Sequence, residues 1–238
     1  MVEDGHRISA RENLKESVVH AIRQLIMSGQ LRAGEKIDQY DLAERLGVSR
    51  LPVREALIVL ENEGLVDQIA RRGAFVASLT PQDIRDHYEI YGVISGLATR
   101  NAALRLSAGD IEGLRGLVRS MRADDDAERL GELCFQFHAV INRSGASRLL
   151  RYRLRTIGRT IPAKHFINSE GWPRAAREDH RRILRAIEAR DAEGAGEAAV
   201  DHLRRLGQHA VEYLNTGGFW SHERIEPDES PGAEVHAI

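Results

Sequence analysis

The sequence predicts a mainly α-helical chain: an N-terminal helix-turn-helix with a small β-hairpin, then an all-α antiparallel helical bundle. Three observations predict this. The stretch "LAERLGVSRLPVREALIVLENEGLV", residues 42–66, packs two helical patterns around one glycine. "LVDQIARRGAFVASL" then sets two short apolar runs about Arg71-Arg72-Gly73, the signature of a hairpin. From Pro81 to residue 216 helical periodicity runs with almost no strand signal.

The elements follow in order. Leu14, Val18, Ala21, Ile22 and Leu25 recur at three- and four-residue steps, one apolar face of a helix ending near Gly29. "LRAGEKID" reads as a turn and a short extended piece. Asp41 is placed to cap a short helix over 42–46, broken by Gly47. Ser49 caps the next helix, with Pro52 in its first turn; Val53, Ala56, Leu57 and Leu60 face inward, and Gly64 ends it. Two helices crossing steeply need a small residue at the approach (Ala43), a permissive turn (Gly47) and a core residue opposite (Val53). Arg50 and Arg54, four apart, then share one outward face near the N-terminus of the second helix, where a recognition helix meets base edges and phosphates. The plain alternative is two packed helices with solvated arginines.

Beyond residue 80, helices are expected over 81–106, 108–123, 127–144, 146–166, 174–190 and 191–215, with short connections that imply an antiparallel bundle. The expected domains are 1–80 and 81–216, with a polar, mobile tail over 217–238.

Composition narrows the function. The 238 residues are 42% hydrophobic and 29% charged, enough for packed cores. No run of eighteen apolar residues occurs and the N-terminus has no apolar signal core, so a cytoplasmic protein without membrane contact is expected. Cys134 is the only cysteine, which suits a reducing compartment. Net charge is −2, so nucleic-acid binding requires a local patch. Residues 1–80 hold 11 Lys and Arg against 12 Asp and Glu, yet Arg45, Arg50, Arg54, Arg71 and Arg72 all fall within 45–72.

"GVSRLPVREAL", "LENEGLV" and "RRGAFV", preceded by "AGEKIDQYDLAERL", resemble the winged helix-turn-helix of the GntR family of bacterial transcription regulators over residues 14–79. The resemblance implies double-stranded operator DNA as partner, a palindromic site and a homodimer. It implies that Ser49, Arg50 and Arg54 enter the major groove, flanked by Arg45 and Leu51, and that the wing at Arg72 and Gly73 reaches the minor groove. Leu51 stands where the pattern usually has Thr, and Tyr40 where many members carry Arg.

In the second segment three histidines stand out: His138 in "CFQFHAVI", His180 in "REDHRRIL" and His202 in "VDHLRRL". Each sits mid-helix with apolar residues a turn away, and three converging imidazoles make a site for a divalent transition metal. Lone helical histidines are otherwise satisfied polar groups. The same stretches are similar to the FCD ligand-binding domain of the FadR subfamily. That likeness implies a metal, most simply zinc, held by His138, His180 and His202, with a fourth ligand where Cys134 stands, and a small-molecule effector beside it. A Cys134 thiolate would close a tetrahedral shell; a buried thiol acting as a small hydrophobe would leave it open. Tyr91 and Ser95 occupy positions where the subfamily usually has Arg and Glu, so they are expected to line the effector pocket, with Arg143 as a candidate cation. The expected protein is a regulator, a repressor released by a small organic acid or related metabolite, and not an enzyme. A metal-dependent enzyme on the bundle and a regulator sensing the ion itself are the alternatives. No nucleophile–base pair or placed general base favours the enzyme.

Overall fold

Among the residues that this computed structural model describes, 4–123, 126–163, 166 and 170–220, nine helices and one three-stranded sheet follow in chain order. The first unit holds α1 (Asp4–Met27), β1 (Lys36–Ile37), α2 (Gln39–Leu46), α3 (Arg50–Asn62), β2 (Val66–Ile69) and β3 (Gly73–Val76). The second holds α4 (Pro81–Arg105), α5 (Ala108–Ala123), α6 (Ala127–Gly145), α7 (Arg148–Thr160), α8 (Trp172–Glu188) and α9 (Ala192–Thr216). The chain divides between Leu79 and Thr80, and Gly218–Trp220 group with the first unit, where Trp220 Nε1 donates to the Leu79 carbonyl at 2.8 Å. The rest of the expected mobile tail, 221–238, lies outside the described residues.

In the first unit α1 packs Val18, Val19, Ile22 and Ile26 against Val53, Ala56, Leu57 and Leu60 of α3. Leu14, expected on that face, is exposed. Arg23 of α1 meets Glu63, just past α3, in an ion pair of 2.5 Å with both side chains largely buried. Ala43 and Val53 are buried, and Gly47 adopts φ 65°, so the chain turns between α2 and α3 as the small-residue pattern requires. Asp38, not Asp41, caps α2, accepting from the amides of Tyr40 and Asp41. The helix starts three residues earlier than expected, which makes Asp38 its N-cap. The hairpin gains a third strand, giving the antiparallel order β1-β3-β2.

In the second unit the helix boundaries differ from expectation chiefly at α7, which stops at Thr160. Ile161 precedes Pro162, and the proline ring pushes its neighbour out of the α region. Around an apolar core, the closest helix approaches of the unit fall at glycines. A Cβ on Gly96 would stand 3.0 Å from the Gly196 carbonyl oxygen, one on Gly92 3.3 Å from that of Val200, and one on Gly207 2.7 Å from Tyr88 Cβ. These glycines bring α9 onto α4. At Gly145 of α6 a Cβ would lie 1.8 Å from the Ala98 carbonyl oxygen of α4, so no side chain fits there.

Gly145→Ala must drive α6 off α4 and is expected to cost about 3 kcal/mol, at or above the upper end for overpacking. Gly113→Ala, at an exposed position of α5 with nothing within 4 Å of its Cβ, is expected to stabilise by about 0.5–1 kcal/mol through helix propensity. Urea denaturation of both variants checks the contrast.

Candidate nucleic-acid interface and metal centre

The start of α3 is built to leave donors free. Ser49 has the extended backbone of an N-cap, but its side chain makes no cap hydrogen bond. The residue three on is Pro52, which has no N–H to offer. The exposed Ser49 hydroxyl and the first-turn amides of Arg50 and Leu51 therefore face outward at the positive end of the helix, a setting suited to a phosphate. Ser49 thus occupies the expected cap position without making the expected cap bond.

Beside this end lies a cleft of about 620 Å³ between α3 and the wing, lined by Lys36, Asp38, Tyr40, Arg50, Leu51, Arg54, Arg71, Arg72 and Gly73 among others. Five cations and one acid give it a strong positive bias in a unit that is neutral overall. Arg50 lies over the Tyr40 ring, 4.2 Å from its centroid, which holds the guanidinium in place. Arg54 is exposed on the same outward face. Arg72 lies 5.8 Å from the Phe75 ring centroid, and Arg71 and Gly73 form the hairpin turn with φ of 64° and 104°. Arg45 stands apart from the cleft, its guanidinium bonded to the Gln30 side chain. Lys36 and the Tyr40–Arg50 stack were not singled out from sequence. The stack joins residues ten apart across a turn, which no helical period reveals.

In the bundle, His138 of α6, His180 of α8 and His202 of α9 come together, with one ring nitrogen from each within 4.8 Å of the others. Hydrogen bonds fix how each ring is presented. His180 Nδ1 lies 2.6 Å from the Ala176 carbonyl, so it carries the proton. Among the described residues its Nε2 is buried without a partner. His202 Nδ1 lies 3.2 Å from Asp179 Oδ2 and donates to it, leaving its Nε2 as an acceptor. His138 Nε2 lies 3.3 Å from His202 Nε2, within hydrogen-bond reach. Arg205 grips both oxygens of Asp179 at 3.0 and 2.6 Å, one turn along α9 from His202. Burial raises the Asp179 pKa, but the bonds from His202 and Arg205 outweigh it and keep the carboxylate ionised. Burial and the neighbouring rings hold His138 well below its ordinary value, and burial brings His180 to about 3.

A buried lone pair with no partner, two rings oriented by an oxygen behind them, and an all-imidazole donor set fit a borderline-soft divalent cation such as zinc. Cys134 does not join the cluster. Burial pushes its thiol up to about 12, and it packs as a small apolar group. Asp179 and Arg205 went unnoticed in the sequence, although Asp179 directly precedes His180 and a carboxylate beside a ligating histidine is a recurrent pattern.

Of the expected effector residues, Tyr91 and Ser95 lie one turn apart on α4, and Arg143 stands at the end of α6. Ser95 is buried on α4. Tyr91 packs with Ile94 and Leu150 against Ala98, Ala146 and Leu154, its hydroxyl against Gly158 of α7. Arg143 is exposed at the end of α6 beside Asp110, so it does not reach into the bundle, and its candidate role is withdrawn.

Comparison with known proteins agrees with this geometry. Residues 14–76 match the family described as bacterial regulatory proteins, gntR family, and residues 86–205 match the FCD domain. A transcriptional regulator from an unstable DNA locus of Streptomyces ambofaciens is 30% identical over 205 residues, covering 82% of this chain and 87% of that protein. An HTH-type regulator of Mycobacterium tuberculosis is 28% identical over 198 residues, covering 82% and 80%. The Escherichia coli repressor RspR is 20% identical over 222 residues, covering 91% and 97%. A GntR-family regulator from Pseudomonas syringae pv. tomato superposes with a TM-score of 0.52 at 26% identity, covering 90% and 98%.

One prediction concerns acid. His180 and His87, the latter lowered by burial to about 4, and His138 bind protons less readily folded than unfolded. Their stabilisation is complete above about pH 6.5 and is lost as pH falls toward their folded values. Chelator-treated protein is expected to lose up to about 1.4 kcal/mol per pH unit for each such group between pH 6.5 and 4, measured by urea denaturation across that range.

Proposed function

This chain belongs to the GntR family of bacterial regulatory proteins, and from that membership we propose how it works. It is a DNA-binding transcriptional regulator, not an enzyme. In our reading it is a homodimeric, cytoplasmic repressor that binds a palindromic operator through residues 1–80. A small organic acid or related metabolite, bound beside a zinc ion in the helical unit over 81–216, releases it.

The observation that carries the DNA half is the positive cleft beside the uncapped start of α3, with Arg50 held on Tyr40. Arg50 and Arg54 contact base edges and phosphates, the Ser49 hydroxyl and the α3 amides anchor a phosphate, and Arg72 and Gly73 enter the adjacent minor groove. Two copies are supported by the outer face of α4. Ile90, Leu97 and Leu104 recur there at heptad spacing with Val93 between them, all substantially exposed. The repressor sign follows the E. coli relative named as a repressor.

The observation that carries the metal half is the partnerless His180 Nε2 facing two further imidazoles. His138, His180 and His202 would hold the ion, with Asp179 and Arg205 orienting His202. A bound divalent cation supplies a fixed positive centre for a carboxylate. Tyr91 and Ser95, in place of the usual Arg and Glu, leave the effector less acidic or larger than simple dicarboxylates. Coupling of about 1–3 kcal/mol between effector and operator suffices for a 5- to 150-fold change in affinity.

Fluorescence anisotropy on a palindromic duplex tests the DNA half. Arg50→Ala and Arg54→Ala are each expected to cost about 1–3 kcal/mol, with two chains per duplex in the wild type. An unchanged affinity in the double variant overturns the assignment. In the same assay, acids found by thermal stabilisation are expected to release the duplex, whereas release by chelator alone identifies the ion itself as the signal.

Elemental analysis tests the metal half. About one zinc per chain is expected, lost in His138→Ala, His180→Ala and His202→Ala and kept in Cys134→Ser. Freshly purified protein with no metal and no uptake on addition refutes the site.

A further inference from the structure

The outward arc of α3 carries a side chain that neither the fold nor the cationic cleft explains. Leu51 is 51% exposed, points away from the buried Val53–Ala56–Leu57–Leu60 face, and lines the cleft between Arg50 and the wing. Among the described residues none covers its exposed half, and an exposed leucine at the tip of a helix that meets DNA has one apolar partner available. Base edges in the major groove offer donors, acceptors and a single kind of apolar group, the 5-methyl of thymine.

We propose that Leu51 reads a thymine methyl in each operator half-site, next to the base pair read by Arg50. This rests on the operator-binding reading above and adds the chemistry of its sequence preference. Arg50 and Leu51 are consecutive at the first turn of α3, so they address neighbouring base pairs. Tyr40 makes the pairing directional. Its ring lies 4.2 Å from the Arg50 guanidinium and fixes the plane of the fork, the geometry needed for bidentate contact with guanine O6 and N7. The Ser49 hydroxyl and the free first-turn amides, held on a phosphate, set the depth of the helix so that Leu51 reaches the methyl and not the sugar edge. The half-site therefore contains a G·C pair adjacent to an A·T pair whose methyl faces α3. Ile58, on the same arc two turns on and 44% exposed, lies outside the cleft and makes no such contact.

The probe is a duplex enriched by the full-length protein from a randomised pool, resynthesised with deoxyuridine in place of each thymine in turn. Deoxyuridine keeps every hydrogen-bonding group and removes only the methyl. The wild type is expected to lose about fourfold in affinity per half-site at one thymine position, the value of one buried methyl group. Leu51→Ser, whose fold is monitored by its thermal melt, is expected to bind the two duplexes equally and to enrich sites without preference at that position. Equal affinity of the wild type for thymine and deoxyuridine duplexes at every position overturns the proposal while leaving operator binding intact. Methyl sensitivity that persists in Leu51→Ser also overturns it. Failure to enrich any duplex overturns operator binding and this proposal together.

Discussion

Backbone contact along α4 is the constraint on which the helical unit depends. Where Gly96 meets Gly196, where Gly92 meets Val200 and where Gly207 meets Tyr88, α9 lies on α4 at a distance that even a methyl group would increase. The same holds for α6 at Gly145 and Ala98. Contacts of this kind leave no freedom for the helices to slide or roll. His202 lies between Val200 and Leu203, two residues that the seam itself positions, and His138 lies seven residues before Gly145 on the same helix. The convergence of the imidazoles is therefore inherited from helix spacing that is fixed elsewhere.

Electrostatics then refines what packing places. Burying three imidazoles costs stability unless their polar atoms are satisfied, and five of the six ring nitrogens lie outside the group of buried atoms without a partner. The partnerless one, His180 Nε2, points into the cluster. Asp179 is a buried carboxylate made tolerable by Arg205, and it carries its charge to the back of His202. In the first unit the distribution is reversed. Its net charge is near zero, but five cations line the cleft between α3 and the wing, whereas Glu61, Glu63 and Asp67 do not line it.

Much of the fold was legible because its signals are local. Gly47, Gly64 and Gly73 mark turns by a backbone that only glycine adopts readily, and the pattern of Val53, Ala56, Leu57 and Leu60 declares a buried face. The three histidines were legible because each sits among apolar neighbours on its own helix. Features that join distant residues were not. The glycine seam reads from sequence as weak helix; only with α4 and α9 side by side does it become a contact surface. The Asp38 cap was missed because the helix starts before its apolar face does. The end of α7 was overrun because its basic periodicity continues up to the Ile161–Pro162 step. Arg143 drew attention by charge alone, which does not say which way a side chain faces.

Hydrogen bonds run through the cluster between His138 and His202 and between His202 and Asp179, with Arg205 closing the chain from outside. They tie α6, α8 and α9 to one another with protons alone. In small zinc-dependent domains the ion is the fold, and removing it yields an unfolded chain. Here the helices are held by the glycine seam and linked through His138, His202 and Asp179, side chains of the chain itself. The arrangement of the helical unit thus rests on contacts that the chain makes with itself.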